Sequence, residues 1–116
     1  MTIQRFDVGR RLSEMAVYNG TVYLAGQVAA DGSQDMRGQT AQVLASIDAL
    51  LARAGTDKRK LLMVQIFITD LTEFPALNEV WEAWLPEGAA PPRATVLAAG
   101  LAKPEWKVEM VVTAAL

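Results

Sequence analysis

Hydrophobic residues along this chain change their spacing several times, and each change predicts an element. Ile3 to Phe6 has the length of a short first strand. Leu12 to Tyr18 and Thr21 to Ala25 are β-rich runs joined by Asn19-Gly20. That dipeptide tolerates the two positive φ values of a type I′ turn, so the pair predicts a hairpin. Gly26-Gln27 ends the second arm, and Asp31-Gly32-Ser33 forms a turn cluster. From about Asp35 the period lengthens. Met36, Val43, Ile47, Leu50, Leu51 and Ala54 share one helical face, Gln39, Gln42, Asp48 and Arg53 fall off it, and Gly55 stops the helix.

Leu61 to Leu71 is apolar on both alternating sets, with Leu62, Val64, Ile66 and Ile68 on one side and Leu61, Met63 and Phe67 on the other. Such a run predicts a central strand covered on both faces. Asp70 and Thr72 offer capping oxygens, Pro75 suits a first helical turn, and Phe74, Leu77, Val80, Trp81, Trp84 and Leu85 form a second amphipathic stripe closed by Pro86. Pro91-Pro92 forces an extended approach to a strand over Arg93 to Ala99, and Gly100 to Pro104 turns the chain. Trp106 to Ala114 alternates into a last strand. The order predicts an α+β class. One sheet with helices on one face leaves the other face bare unless another subunit packs there.

With 116 residues, the chain has room for a single domain over 1–116. A formal charge of −2 without blocks of like charge lacks the footprint of a nucleic-acid binder, so no nucleic-acid partner is expected. There is no cysteine, which fits a reducing cytoplasm, and no histidine. Ser-His-Asp catalysis, thiolate nucleophiles and His-based metal sites are therefore excluded, leaving carboxylates, Arg, Lys, Tyr, hydroxyls and backbone. No apolar leader segment opens the chain, and no run approaches 18 apolar residues, so a cytoplasmic location away from membranes is expected.

Two charged residues sit oddly in apolar strands. Arg93 follows Pro-Pro at the mouth of one, and Glu109 stands between Val108 and Met110 in another. Burial of either is costly without a partner, which predicts that the two lie near each other on adjacent strands. One reading is a cross-strand ion pair facing water. The other is a site in which Arg93 grips a carboxylate with its planar fork and Glu109 moves a proton or steers a water. Trp81 and Trp84 are either a stacking platform or part of the core or an interface, and Tyr18 and Tyr23 are expected to pair across the hairpin. Gly26-Gln27 either offers backbone donors to an anion or ends a strand. Asn78 is an exposed amide or a site-lining one. Asp48 with Asp57, or Glu79 with Glu82, read as solvated helix faces, and no metal site is expected.

The Tyr23-Leu24-Ala25-Gly26-Gln27-Val28 segment, the Phe74-Pro75-Ala76-Leu77-Asn78 helix start, Pro92-Arg93-Ala94-Thr95-Val96 and the closing Lys107-Val108-Glu109 together resemble the RidA/YjgF family of reactive-intermediate imine deaminases. The likeness runs in matching order from about Phe6 to Ala115, and the paired tryptophans look like a short subgroup. The resemblance implies a chorismate-mutase-like mixed β-sheet with two helices packed on one face, in a homotrimer that covers the bare face. It implies no cofactor, and as ligand a small 2-imino or 2-oxo acid. Arg93 would hold the substrate carboxylate and Glu109 would activate the attacking water, with Gly26, Asn78 and Thr95 also binding substrate in clefts between subunits. The sequence departs from the deaminases at Leu12, where they carry a tyrosine, and at Ala25, where they carry a serine. Thr95 stands where many members have cysteine. Losing two hydroxyls alters what a polar substrate group can pair with. The alternatives are a non-catalytic trimer that binds small carboxylates, and RNA cleavage, which the charge disfavours.

Overall fold

The computed structural model describes residues 2–116. Its strands are β1 (Gln4–Phe6), β2 (Met15–Tyr18), β3 (Thr21–Leu24), β4 (Leu61–Ile68), β5 (Arg93–Leu97) and β6 (Val108–Ala115), with helices α1 (Met36–Ala54) and α2 (Phe74–Trp84). They form one six-stranded sheet in the order β1-β2-β3-β6-β4-β5. Among the described residues only the β4–β5 pair is parallel, because α2 carries the chain back across the sheet between them.

Local chemistry accounts for most of the boundaries. Asn19 and Gly20 both have positive φ (52° and 77°), which closes the β2–β3 hairpin. Leu12, expected to open β2, instead lies in the loop before it, and the strand begins at Met15. Asp35 caps α1 by accepting from the Gly38 N–H at 2.9 Å, and Gly55 ends it in the left-handed conformation. Asp70 caps differently than expected. Its carboxylate accepts from the Thr72 N–H of a short 3-10 turn before α2, and the helix itself starts at Phe74-Pro75 without a side-chain cap.

Both helices pack on one sheet face. Met36, Val43, Leu44, Ile47 and Leu51 of α1 and Leu77 and Trp81 of α2 meet Val22, Val64, Ile66, Ile68, Val108, Met110 and Val112 of the sheet. The predicted alternation of β4 slips at one residue. A bulge between Leu61 and Met63 turns Leu62 out to solvent, so Leu61 and not Leu62 shares the helix-facing side with Val64. The opposite face of the sheet carries Tyr23, Met63, Phe67, Val96 and Val111, and Tyr23, Met63 and Val96 are each more than 40% exposed. No element among the described residues covers it. Tyr18 and Tyr23 are not direct partners there; the register sets them opposite Thr21 and Ala16, so they are diagonal neighbours.

Gln39 corrects the predicted polar face of α1. It is fully buried. Its amide nitrogen lies within 2.9–3.1 Å of the Gly32, Gln34 and Glu105 carbonyls, and its Oε1 accepts from the Lys107 N–H at 2.9 Å. Those partners are backbone groups of two loops, which hydropathy does not reveal. Replacing Gln39 with Leu strands them in a dry interior, at a cost of about 3 kcal/mol. Urea unfolding should show that loss as a lower midpoint at unchanged slope.

Candidate functional site

Parallel register with Val64 sets Arg93 on the helix-facing side of the sheet, at its outermost strand. There the guanidinium carbon sits 5.5 Å from the Phe74 ring centre and 5.3 Å from that of Trp81, both on α2. Two aromatic faces hold the cation while taking away part of its water. Burial holds its pKa below the ordinary arginine value, with Glu82 pulling the other way, and an arginine so placed stays charged. Among the described residues no carboxylate forms an ion pair with it.

Trp81 and Glu82 lie three and four residues beyond Asn78, and Leu85 lies four and three beyond them, so one stripe of α2 and its cap faces the same space. With Pro86 and Arg93 they help line a cavity of about 430 Å³. Thr95 stands two residues beyond Arg93, registered with Ile66 on the same face, and its Oγ1 is buried without a hydrogen-bond partner. Arg93, Asn78 and Thr95 are thus assembled on one side. The two tryptophans separate in role. Trp81 turns to Arg93, whereas Trp84 donates from Nε1 to Asp48 at 2.9 Å and stacks under Lys58, locking α2 to α1. Asp48, read as merely solvated, is that acceptor.

Glu109 lies elsewhere. It alternates with the fully buried Val108 and Met110, so it points to the uncovered face. Phe67 is its partner on β4, and Val96 is Phe67's partner on β5, which makes an apolar row beside the carboxylate. On its other side stands Gly26: a β-carbon there would overlap the Glu109 carboxylate. The Gln27–Met110 bridge, with N–H to carbonyl bonds of 2.8 and 3.1 Å in both directions, fixes that approach. Gln27 in turn donates from its side chain to the Ala25 carbonyl at 2.9 Å and to Glu14 at 3.3 Å. The Glu109 carboxylate has no ion-pair or hydrogen-bond partner among the described residues. Leu12 and Glu14 belong to the β1–β2 loop, which lines a separate cavity of about 730 Å³ with Arg10 and Arg11.

The expectation that Arg93 and Glu109 are neighbours on adjacent strands is therefore wrong. Strand β4 lies between theirs, Arg93 is level with Val64 and Glu109 with Phe67, and the two side chains leave opposite faces. Ordinary sheet spacings separate their α-carbons by about 14 Å. What sequence reasoning missed is the surroundings of Arg93. Phe74 reads only as part of an amphipathic stripe, Trp81 as either a stacking platform or part of the core or an interface, and Glu82 as a solvated position, although Trp81 and Glu82 stand three and four residues beyond Asn78. Among the described residues no group of three carboxylates gathers as metal ligands would, and no helix is long and apolar enough to cross a membrane.

Comparison with known proteins places these features in a wider set. The sequence model of the family described as Endoribonuclease L-PSP matches residues 2–116. A RutC family protein of Haemophilus ducreyi is 46% identical over 114 residues, covering 98% of this chain and 97% of its own. The RutC family protein YoaB of Escherichia coli is 42% identical over 116 residues, the whole of both chains. Among solved structures, a Pseudomonas aeruginosa protein superposes with a TM-score of 0.95 at 47% identity, covering 98% of each chain. A YjgF family member from Neisseria meningitidis gives 0.95 at 42% identity, covering 99% of this chain and 95% of its own.

Proposed function

This chain belongs to the RidA/YjgF family, whose sequence model bears the name of an endoribonuclease, and from that premise we propose that it hydrolyses reactive 2-enamine and 2-imino acids to 2-oxo acids and ammonia. The observation that carries this reading is the Arg93 guanidinium, held between Phe74 and Trp81 at a cavity and in ion-pair contact with no carboxylate among the described residues. A partly desolvated guanidinium that no carboxylate holds in a direct ion pair keeps its planar fork open to an external carboxylate. Arg93 holds the substrate carboxylate, with Asn78 and Thr95 beside it. Glu109 takes a proton from water as the oxygen bonds to the iminium carbon. The amino nitrogen of the tetrahedral adduct takes that proton from Glu109 and leaves as ammonia, and the adduct's hydroxyl gives up its proton as the carbonyl forms. Such chemistry is already spontaneous in water, so orientation and one proton transfer suffice, together on the order of 10²–10⁴-fold.

Because the two residues leave opposite faces of one sheet, a single small substrate reaches both only where two copies meet. The uncovered apolar face is the surface for that meeting, and a closed homotrimer in the cytoplasm, working without a cofactor, is the assembly we assign. Each junction then joins the Arg93, Asn78, Thr95 half of one protomer to the Glu109, Gly26 half of the next. RNA cleavage is the weaker reading: the net charge is −2, and three of the arginines and lysines are spent in ion pairs with Glu79, Asp7 and Glu73. The absence of hydroxyls at Leu12 and Ala25 favours as second reading a trimer that binds carboxylates without turnover.

The deciding experiment releases a 2-imino acid from serine or threonine with a pyridoxal-phosphate dehydratase while semicarbazide traps it. Added protein should divert imine to 2-oxo acid. An unchanged trapping rate overturns the deaminase reading and leaves the binder. Gly26→Ala supplies an independent check. The atoms its methyl would strike are the far end of a flexible side chain, so the fold accommodates it while the Glu109 carboxylate moves. The variant should melt within a few degrees of wild type yet lose roughly tenfold or more in turnover, an effect of a displaced proton-transfer group.

A further inference from the structure

The cavity at Arg93 carries a second electrostatic feature besides the arginine. Glu82, one turn beyond Asn78, and Glu87, in the turn after Pro86, both line it. Other acids of this region are engaged: Glu79 pairs with Arg37, and Glu73 lies 3.8 Å from Lys107 Nζ. Glu82 and Glu87 have no cationic partner among the described residues apart from the arginine across the cavity. The walls between are apolar, formed by Trp81, Leu85 and Pro86. The lining thus has one positive charge at the strand end and two negative charges along the rest.

Resting on the reading of Arg93 as the carboxylate clamp, we propose that Glu82 and Glu87 determine specificity by charge: they reject substrates with a second carboxylate and admit 2-imino acids whose side chains are neutral or basic. A monocarboxylate neutralises Arg93 and lays its chain along Trp81 and Leu85. A dicarboxylate of the same length carries its second charge toward two exposed glutamates at the open side of the cavity, where like charges at close range repel and salt screens them little at low ionic strength. At low salt the difference amounts to about tenfold in affinity, and added salt shrinks it.

The test titrates the stable product analogues 2-oxopentanoate and 2-oxopentanedioate, equal in chain length, into the assembled full-length protein at low ionic strength, followed by calorimetry or NMR. Wild type should bind the monocarboxylate about tenfold more tightly. The Glu82→Gln/Glu87→Gln double variant changes two exposed positions; its melting curve should stay in place while the gap closes to about twofold. Equal or tighter binding of the dicarboxylate by wild type overturns the inference, as does a gap that persists in the double variant. The underlying clamp is judged separately by Arg93→Ala. Retained affinity for 2-oxopentanoate in that variant, or none in wild type, overturns the clamp and the charge filter with it.

Discussion

Arg93→Lys should lower imine turnover on the order of 10²-fold while leaving the protein folded. The lysine keeps the charge and much of the length, yet an ammonium is a point donor that cannot present two parallel N–H groups to a carboxylate. It also stacks less well between Phe74 and Trp81, whose ring centres lie 5.5 and 5.3 Å from the native guanidinium carbon. Each such contact contributes about 0.5–1 kcal/mol at a partly exposed site, so the melting temperature should fall by only a few degrees. Kinetics in the trapping assay, read beside a thermal melt, separate the two effects. A rate near wild type would mean that the substrate is not held through the arginine fork.

The second large effect concerns chains in mixture. Arg93→Ala and Glu109→Gln homomers should each be inactive to within the background of the assay. Co-expressed in equal amounts, they should recover about a quarter of the wild-type turnover per chain: in the proposed assembly each junction draws its arginine from one copy and its glutamate from the next, and random assortment supplies both intact in one case out of four. Activity confined to background in verified mixed assemblies would place both residues of each working site in one chain. That outcome would require Arg93 and Glu109 to converge, against a sheet order that sets β4 between their strands.

The hairpin, both helices and the α+β class were legible because their determinants are local. Asn19-Gly20 fixes the turn, and Asp35 and Gly55 bracket α1, each through contacts within a few residues. Strand order is not local. Nothing in the run from Trp106 to Ala114 specifies that it inserts between β3 and β4, yet that insertion is what parts Arg93 from Glu109. Alternation alone would have put Arg93 and Thr95 on one face and Glu109 with Val111 on one face, but the relation between those faces depends on the whole sheet. Gln39 was misplaced for a different reason: its interior position is sustained by backbone carbonyls at Gly32, Gln34 and Glu105, so its polarity is satisfied where a hydropathy pattern sees only a polar residue. Leu62 was misplaced because a bulge adds one residue to β4 and resets the alternation. The candidate residues themselves were identifiable as charges in apolar strands, but their environment, two aromatic rings for one and an open face beside Gly26 for the other, needed the packed structure.

The opposite-face arrangement of Arg93 and Glu109 also bears on how such a gene can evolve. After a duplication, one daughter can lose the arginine half and the other the glutamate half without loss of the reaction, provided the two products assemble together. Each daughter is then useless alone and retained only with its sister. A homomeric enzyme built this way stands one duplication and two ordinary mutations from an obligate heteromer, with no new interface to invent.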